Sequence, residues 1–531
     1  MMKGYILASA LLLMQSASFA QQDPTKYAET ITPADLKKHL TIIAADDMEG
    51  RDTGSPGQKR AAEYVVKHFK EYGLQPIAVD ANGQKSFLQK YDLYKRSWGE
   101  VYFVSQGKQY EMGKDFYTNG IFSYPEETEF SVVFAGYGIE DEKYNDYSTV
   151  SVTDKAVVIF DGEPKDKNGK YIVSGTDEKT KWSSNVGWQN KVKAARKNGA
   201  KFVYIITDKT GDDIQKEIRQ RAVMSRRFGA PTLKPVEESA KSNSAIVISS
   251  DIAAKLLNTK PSKVLKLKNT ITKSAKPVKN GFSGSVKIKA ERINETIHTE
   301  NVAAYLEGTD KKDEVLVISA HLDHIGISEN GEINNGADDD GSGTVSLLEL
   351  AQAFGQAKAD GHGPRRSILF LNVTGEEKGL FGSEYYAEHP LLPLKNTIAD
   401  LNIDMIGRVD EAHTNHHKYV YLIGSDKLSS ELHAISEEAN KKYINFDLDY
   451  TFNDPSDPNR FYYRSDHYNF AKNGVPVIFY FTGVHEDYHR PGDDVEKILF
   501  DKQAPIVKLV FYTAWELVNR EERIVVDSNK K

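Results

Sequence analysis

The chain contains no cysteine among its 531 residues. Disulfide bonds, a lipid-modified cysteine and thiolate metal ligands are therefore excluded. A metal ion in this protein would have to be held by histidine, aspartate and glutamate side chains.

The sequence also lacks a long basic run and a membrane-length apolar run. The net charge is -7, which makes nucleic acid and anionic membranes unexpected partners. The apolar run from residue 5 to about residue 14 is shorter than the ~20 residues that a transmembrane helix needs. Small residues at Ser18 and Ala20 follow it. Residues 1–20 are thus predicted to be a cleaved export signal, rather than a short anchor, and the protein to be periplasmic or secreted with no stable membrane insertion.

The length indicates more than one structural unit. A chain of 531 residues is too long for one ordinary core. From about residue 102 to residue 285 the sequence changes to short β-like runs, with one clear helix–strand unit at 190–208. We predict a β-rich insertion at 127–282 that separates an N-terminal part, 25–126, from the main part, 283–531, of one larger domain.

The main part shows the alternation of an α/β fold. Continuous apolar runs at 314–320, 367–373, 398–404 and 475–481 are typical of strands that are buried on both faces. A helical pattern at 343–354 separates the first two. This alternation predicts a mostly parallel central sheet flanked by helices.

Histidines and carboxylates follow each of these predicted strands. Because ligands bind outside the carboxyl ends of the strands in open α/β sheets, we expect these side chains to converge on one crevice. Taken singly, they have ordinary alternatives: helix N-caps, hydrogen-bonded structural histidines or solvated glutamates. Together they would place many charges in one crevice, which costs free energy unless cations neutralise them. The candidates are His321, Asp323, His324, Glu376, Glu377, Asp404 and His489, with Asp338, Asp339 and Asp340 in a glycine-rich turn.

The ordered motifs "SAHLDHIG", "NNGADDDGSG", "TGEEKGLFGS", "NIDMIGR" and "DYHRPGDDVEKI" resemble those of the co-catalytic zinc aminopeptidases related to glutamate carboxypeptidase, peptidase family 28. The resemblance covers roughly residues 295–500 and implies the zinc-exopeptidase, or phosphorylase/hydrolase-like, fold. The insertion, with "FAGYGI", looks more loosely like the protease-associated (PA) domain that this family often carries.

The resemblance implies two zinc ions per chain. The first would be held by His321 and Asp404, and the second by Glu377 and His489. Asp339 would bridge both, with Asp338 or Asp340 as the alternative register. Asp323 would orient the imidazole of His321. The family pattern gives no ligand role to His324, His467 or His485, which we interpret as structural or pocket-lining.

The resemblance also implies catalytic roles. Glu376 would act as general base and then general acid, and Tyr488 would stabilise the oxyanion. Arg464 is a candidate for binding a substrate carbonyl or carboxylate, with a surface salt bridge as the alternative. Arginines of the insertion, which would attract acidic peptides or lie in a solvated loop, are Arg219, Arg221, Arg226 and Arg227.

The predicted function is an exported zinc aminopeptidase acting on peptides. A carboxypeptidase or dipeptidase on the same scaffold is the nearest alternative, since only the group that anchors the substrate terminus would differ. A glutaminyl cyclase and a non-catalytic, receptor-like protein are further alternatives; the latter predicts broken ligand positions, whereas the ligand positions here are intact. The sequence leaves the side-chain preference and the oligomeric state open.

Overall fold

The structure is a computed structural model that describes residues 23–227, 230–235 and 244–527, with the backbone alone from residue 222 to residue 227. The predicted export signal, residues 1–20, lies outside the described residues. None of the described helices is both long enough and apolar enough to cross a bilayer.

The chain divides into two compact units. The first comprises Met1–Asp92 and Ile297–Lys531, and the second comprises Leu93–Thr296. Both boundaries fall inside long strands, Leu88–Ser105 and Ser283–Leu306.

The first unit is built on a mostly parallel sheet. The strands of this unit in that sheet are Gln75–Pro76, Lys311–His321, Arg366–Val373, Thr397–Ile403, Tyr419–Ile423, Asp447–Asp449 and Val477–Phe481. Ala78–Val79 and Lys85–Ser86 form a separate two-stranded sheet. Its helices are Thr25–Ala28, Pro33–Ile43, Pro56–Glu71, Gly343–Ala359, Phe381–Glu388, Ser430–Ala439, His467–Ala471 and Phe500–Asn519.

The strand order places the four predicted strands side by side. Lys311–His321 lies between Arg366–Val373 and Thr397–Ile403 and runs parallel to both. Val477–Phe481 continues the parallel set beyond Thr397–Ile403. Every residue is buried in three of these strands, Arg366–Val373, Thr397–Ile403 and Val477–Phe481. Burial on both faces explains why their sequences are mostly apolar. The predicted mostly parallel α/β fold is confirmed.

Local signals explain the helices that flank this sheet. Ser55 accepts a hydrogen bond from the amide of Gln58, which caps the helix Pro56–Glu71 with proline at its first position. Ala62, Val65 and Phe69 on this helix are buried in the core. The helix Gly343–Ala359 is buried nearly all round, so its sequence is apolar on more than one face.

The second unit contains a parallel array of its own. Tyr124–Phe134, Ala156–Phe160, Phe202–Ile206 and Ala245–Ile248 pair in that order and in parallel. The other strands and the helices described in this unit are Lys108–Glu111, Tyr117–Asn119, Gly187–Lys197, Gly211–Arg227, Ser250–Leu256 and Pro261–Ser274.

The second unit begins earlier and ends later than the insertion predicted at 127–282. Hydrogen bonding explains the earlier start. Tyr117–Asn119 pairs with Ala245–Ile248, and Lys108–Glu111 pairs with residues 102–105, so residues well before 127 belong to this unit. The pairing of Tyr117–Asn119 with Ala245–Ile248 joins remote segments, so it leaves no mark in the local sequence pattern.

Candidate metal centre

The candidate ligands lie at one edge of the parallel sheet. His321 is the last residue of its strand, Asp404 comes directly after Thr397–Ile403, and Glu377 follows Arg366–Val373 by a short turn. His489 lies in the loop after Val477–Phe481. Because these strands are parallel, their carboxyl ends bring the four side chains together.

One group of ligand atoms surrounds His321. Its Nε2 lies 3.2 Å from Oδ1 of Asp339 and 3.6 Å from Oδ1 of Asp404. Asp404 is held in place by the hydroxyl of Ser465, which donates to its Oδ2 at 2.7 Å. All three ligand residues are buried, and their ligand atoms lie close enough to share one metal ion.

A second group surrounds Glu377. Its Oε2 lies 3.0 Å from Nε2 of His489, and its Oε1 lies 2.8 Å from Nδ1 of His324. Asp339 reaches this group with its other oxygen, since its Oδ2 lies 3.1 Å from Nε2 of His489. Asp339 therefore faces both groups with different oxygens.

The neighbouring aspartates make other contacts. Asp338 accepts a hydrogen bond from the amide of Gly407 at 2.6 Å, and Asp340 accepts one from the amide of His321 at 3.1 Å. Their oxygens thus fix the backbone around the centre. Among the residues that the structure describes, Asp339 is the aspartate of this turn that belongs to both groups.

Asp323 lies near His321, but the contact differs from the expected one. Nδ1 of His321 is 2.9 Å from the backbone carbonyl oxygen of Asp323 and 4.0 Å from its carboxylate. The carbonyl therefore accepts a hydrogen bond from Nδ1–H and leaves Nε2 to face the carboxylates. The carboxylate of Asp323 accepts instead from the hydroxyl of Thr53 and the amide of Glu376.

The electrostatic field at this edge is strongly negative. Burial raises the pKa of Glu376 well above its usual range, and the charges of Glu377, Asp466 and Asp404 add to this effect while His321 opposes it. Burial lowers the pKa of His489, but Asp339 and Glu377 overcome it and raise the value to about 10. So many carboxylates in a buried site require positive charge nearby.

Tyr488 and Arg464 have different surroundings. The ring of Tyr488 stacks on that of His489 with centroids 3.9 Å apart. Burial first, and then Asp339, Glu377 and Glu376, raise the pKa of its hydroxyl, so the hydroxyl keeps its proton at neutral pH. Arg464 is exposed, and its guanidinium lies 4.8 Å from the ring centroid of Phe461.

The remaining predicted residues lie outside these two groups. His467 is buried and stacks on Phe479, while Nε2 of His485 lies 3.3 Å from Oδ2 of Asp338. In the second unit, Arg221 lies over the ring of Tyr117 at 5.5 Å, and Arg219 is exposed. The side chains of Arg226 and Arg227 lie outside the described residues.

Sequence reasoning missed Arg51 and gave no ligand role to His324. His324 is among the candidates at the strand ends but is interpreted as structural or pocket-lining, whereas it lies in the second group of ligand atoms. Its place three residues after His321 was a signal, because the same strand end supplies both imidazoles. Arg51 carried no recognisable signal, since its contacts are with backbone atoms.

Arg51 holds the backbone beneath the centre. Its guanidinium is fully buried and donates to the carbonyl oxygens of Leu322, Asn335 and Gly336 at 2.7–2.9 Å, as well as to that of Ile43. These carbonyls lie beside His321 and just before the aspartate turn. The positive charge also lies within the field of Asp339 and Asp340.

We expect Arg51→Lys to destabilise the protein and to weaken metal binding. Lysine keeps the charge but cannot donate in the planar fork that reaches these carbonyls. The lost hydrogen bonds correspond to about 2 kcal/mol or more in the free energy of unfolding. Urea unfolding of the metal-free protein, with Arg219→Lys at an exposed position as control, measures this. Equal free energies for the two variants would contradict the assigned role.

The fold and the site define an α/β protein with a histidine–carboxylate cluster that could hold metal at the carboxyl edge of a parallel sheet. Residues 301–514 match peptidase family M28, and the chain therefore carries a peptidase family M28 domain. This confirms the resemblance that the motifs indicated. The PA-like character of the insertion stays a prediction.

Several named proteins are similar in sequence to part of this chain. A probable leucine aminopeptidase of Arthroderma otae is 29% identical over 43% of this chain and 60% of its own length. A probable zinc metalloprotease of Pyrenophora teres is 27% identical over 43% of this chain and 53% of its own. Aminopeptidase YwaD of Bacillus subtilis is 28% identical over 40% of this chain and 43% of its own length. The chain thus spans between 43% and 60% of the length of these relatives.

A solved structure also aligns along most of the chain. The aminopeptidase from Aneurinibacillus sp. strain AM-1 covers 95% of this chain and 98% of its own length, with a TM-score of 0.49 and 18% identity.

Proposed function

We propose that the protein is a two-zinc aminopeptidase that removes N-terminal residues from peptides. The observation that carries this proposal is the position of Asp339 between the two groups of ligand atoms. Its Oδ1 faces His321 and its Oδ2 faces His489. A carboxylate that presents one oxygen to each of two ligand groups is suited to bridge two metal ions.

The donor set fits zinc. Imidazole nitrogens and carboxylate oxygens are common zinc ligands, and the chain offers no thiolate. His321 and Asp404 would hold the first ion, Glu377 and His489 the second, and Asp339 both. A relative named as a zinc metalloprotease supports the choice of metal.

The remaining side chains supply proton transfer and oxyanion binding. When bound, the zinc ions would lower the pKa of a coordinated water and polarise the scissile carbonyl. Glu376, adjacent to the ligand Glu377, accepts the proton of that water and delivers it to the leaving amine. The hydroxyl of Tyr488, beside His489, donates a hydrogen bond to the oxyanion.

The charges near the centre favour an aminopeptidase over a carboxypeptidase. A free substrate amine is attracted by carboxylates, and the carboxylates of this edge include Glu376 next to the ligand Glu377. A substrate carboxylate needs a cation. Arg464 is exposed over Phe461, and Lys378 is engaged with Asp52 at 2.5 Å. The relatives named as aminopeptidases point the same way.

A joint measurement of metal content and cleavage tests this function. We expect two zinc ions per chain and chelator-sensitive release from aminoacyl-anilides, with N-blocked peptides that have a free C-terminus left intact. Cleavage of the blocked peptides alone would identify a carboxypeptidase and would make Arg464 the anchor to examine. A chain that binds metal but cleaves neither substrate would contradict a peptidase function.

Two further proposals concern the whole chain. We propose export, because residues 1–20 have the pattern of a cleaved signal; N-terminal sequencing of the protein from the periplasm or medium should begin at Gln21. We also propose that the second unit, which contains the insertion predicted at 127–282, is PA-like. An experimental structure that fails to superpose on such a domain would contradict the latter.

A further inference from the structure

His324 is a buried imidazole without an ordinary hydrogen-bond partner. Its relative exposure is 0%, and among the described residues neither of its ring nitrogens has a hydrogen-bond partner. Oε1 of Glu377 lies 2.8 Å from Nδ1, and it too has no hydrogen-bond partner among the described residues. Buried polar atoms are rarely left in this state unless something else satisfies them.

The carboxylate of Asp339 also lies near Nδ1 of His324. Nδ1 lies 3.7 Å from Oδ2 of Asp339, and that oxygen also lacks a hydrogen-bond partner among the described residues. Nε2 of His489 lies 3.1 Å from the same oxygen and 3.0 Å from Oε2 of Glu377. Two imidazoles therefore face the same two carboxylates.

The ligand atoms of His324, Asp339 and Glu377 lie close enough together to hold one metal ion. Zinc bonds of about 2.0–2.2 Å in a tetrahedral arrangement separate neighbouring ligand atoms by roughly 3.3–3.6 Å. The nitrogen–oxygen separations around Glu377 and Asp339 run from 2.8 to 3.7 Å.

The backbone makes room for this ring. Gly336 has a φ of +56°, and a Cβ at this position would lie 2.5 Å from Cδ2 of His324. Glycine is therefore required both by the left-handed conformation and by the imidazole. The ring of His324 therefore packs directly against Gly336, in the turn that carries Asp339.

We propose that His324 is a fourth protein ligand of the second zinc, beside Asp339, Glu377 and His489. This inference rests on the proposed two-zinc function and deepens it. The first zinc would have three protein ligands, His321, Asp339 and Asp404. Because a site with four protein ligands is closed and a site with three keeps an open position, the exchangeable position of the centre belongs to the first zinc.

Metal affinity of His324 variants tests the proposal. We expect His324→Ala and His324→Asn to keep the first zinc and to bind the second at least about 100-fold more weakly, in competition with a chromogenic chelator. Asparagine still donates a hydrogen bond near the position of Nδ1 but is a poor zinc ligand. Retained affinity in His324→Asn alone would assign His324 to hydrogen bonding with Glu377 and overturn the proposal. His467→Asn, at a buried histidine outside both groups, is the matched control.

A second measurement needs no variant. In the cadmium-113 form of the wild-type protein labelled with nitrogen-15 histidine, we expect scalar coupling from cadmium to the ring nitrogens of His321, His489 and His324. Coupling to His321 and His489 alone would overturn the assignment of His324 while leaving the two-metal centre intact. A wild-type protein that takes up no metal would instead contradict the proposed function, and this inference with it.

Discussion

Glu376→Gln should lower kcat by about 10²–10⁴-fold while two metal ions stay bound. Glutamine has the shape of glutamate but accepts no proton, so water activation and protonation of the leaving amine both suffer. Glu376 belongs to neither ligand group, and its amide contact with Asp323 is a backbone contact that the substitution keeps. Metal content and KM should therefore change little.

Steady-state kinetics on an aminoacyl-anilide, with zinc counted in the same preparation, measure this effect. Glu384→Gln is the matched control, because Glu384 lies on the following helix Phe381–Glu388 and pairs with Lys472. A loss of zinc along with activity would show that Glu376 holds metal. Activity near that of the wild type would remove it from the proton transfer.

Asp339→Asn should empty both metal positions and reduce cleavage to the background rate. An amide replaces the bridging carboxylate, so both ligand groups lose a charged oxygen at once. Asp404→Asn removes a ligand from the first group only, and we expect it to release one metal ion and retain the other. The difference between these two variants isolates the bridge.

Zinc per chain, measured after dialysis at fixed free zinc, distinguishes these outcomes. Asp313→Asn, at an exposed aspartate near the start of the strand that ends at His321, is the control. Two metal ions retained in Asp339→Asn would contradict the bridge and move it to Asp338 or Asp340. Thermal unfolding adds a check, since bound metal raises the melting temperature of the folded state.

The strands and the order of the candidate ligands were predictable because their signals are local. Strands buried on both faces must be apolar throughout, and parallel strands present their carboxyl ends at one edge. The runs at 314–320 and 367–373 thus located both the sheet and the position of His321 and Glu377 along it. The ligand roles themselves stay predictions that the variants above test.

The contacts that sequence reasoning did not foresee involve backbone atoms or distant segments. The carbonyl of Asp323, rather than its carboxylate, lies next to Nδ1 of His321. Arg51 binds carbonyl oxygens of segments some 280 residues away along the chain. The spacing of residues along the chain does not predict contacts with backbone carbonyls or with distant segments.

The sequence by itself determined the α/β fold, the absence of thiolate chemistry and the alignment of histidines and carboxylates at strand ends, because residue type and periodicity act locally. Only the tertiary structure decided that Asp339 faces both ligand groups, that His324 joins the second and that the second unit starts before residue 127. These depend on the direction of side chains and on pairing between remote segments, which follow from packing of the whole chain.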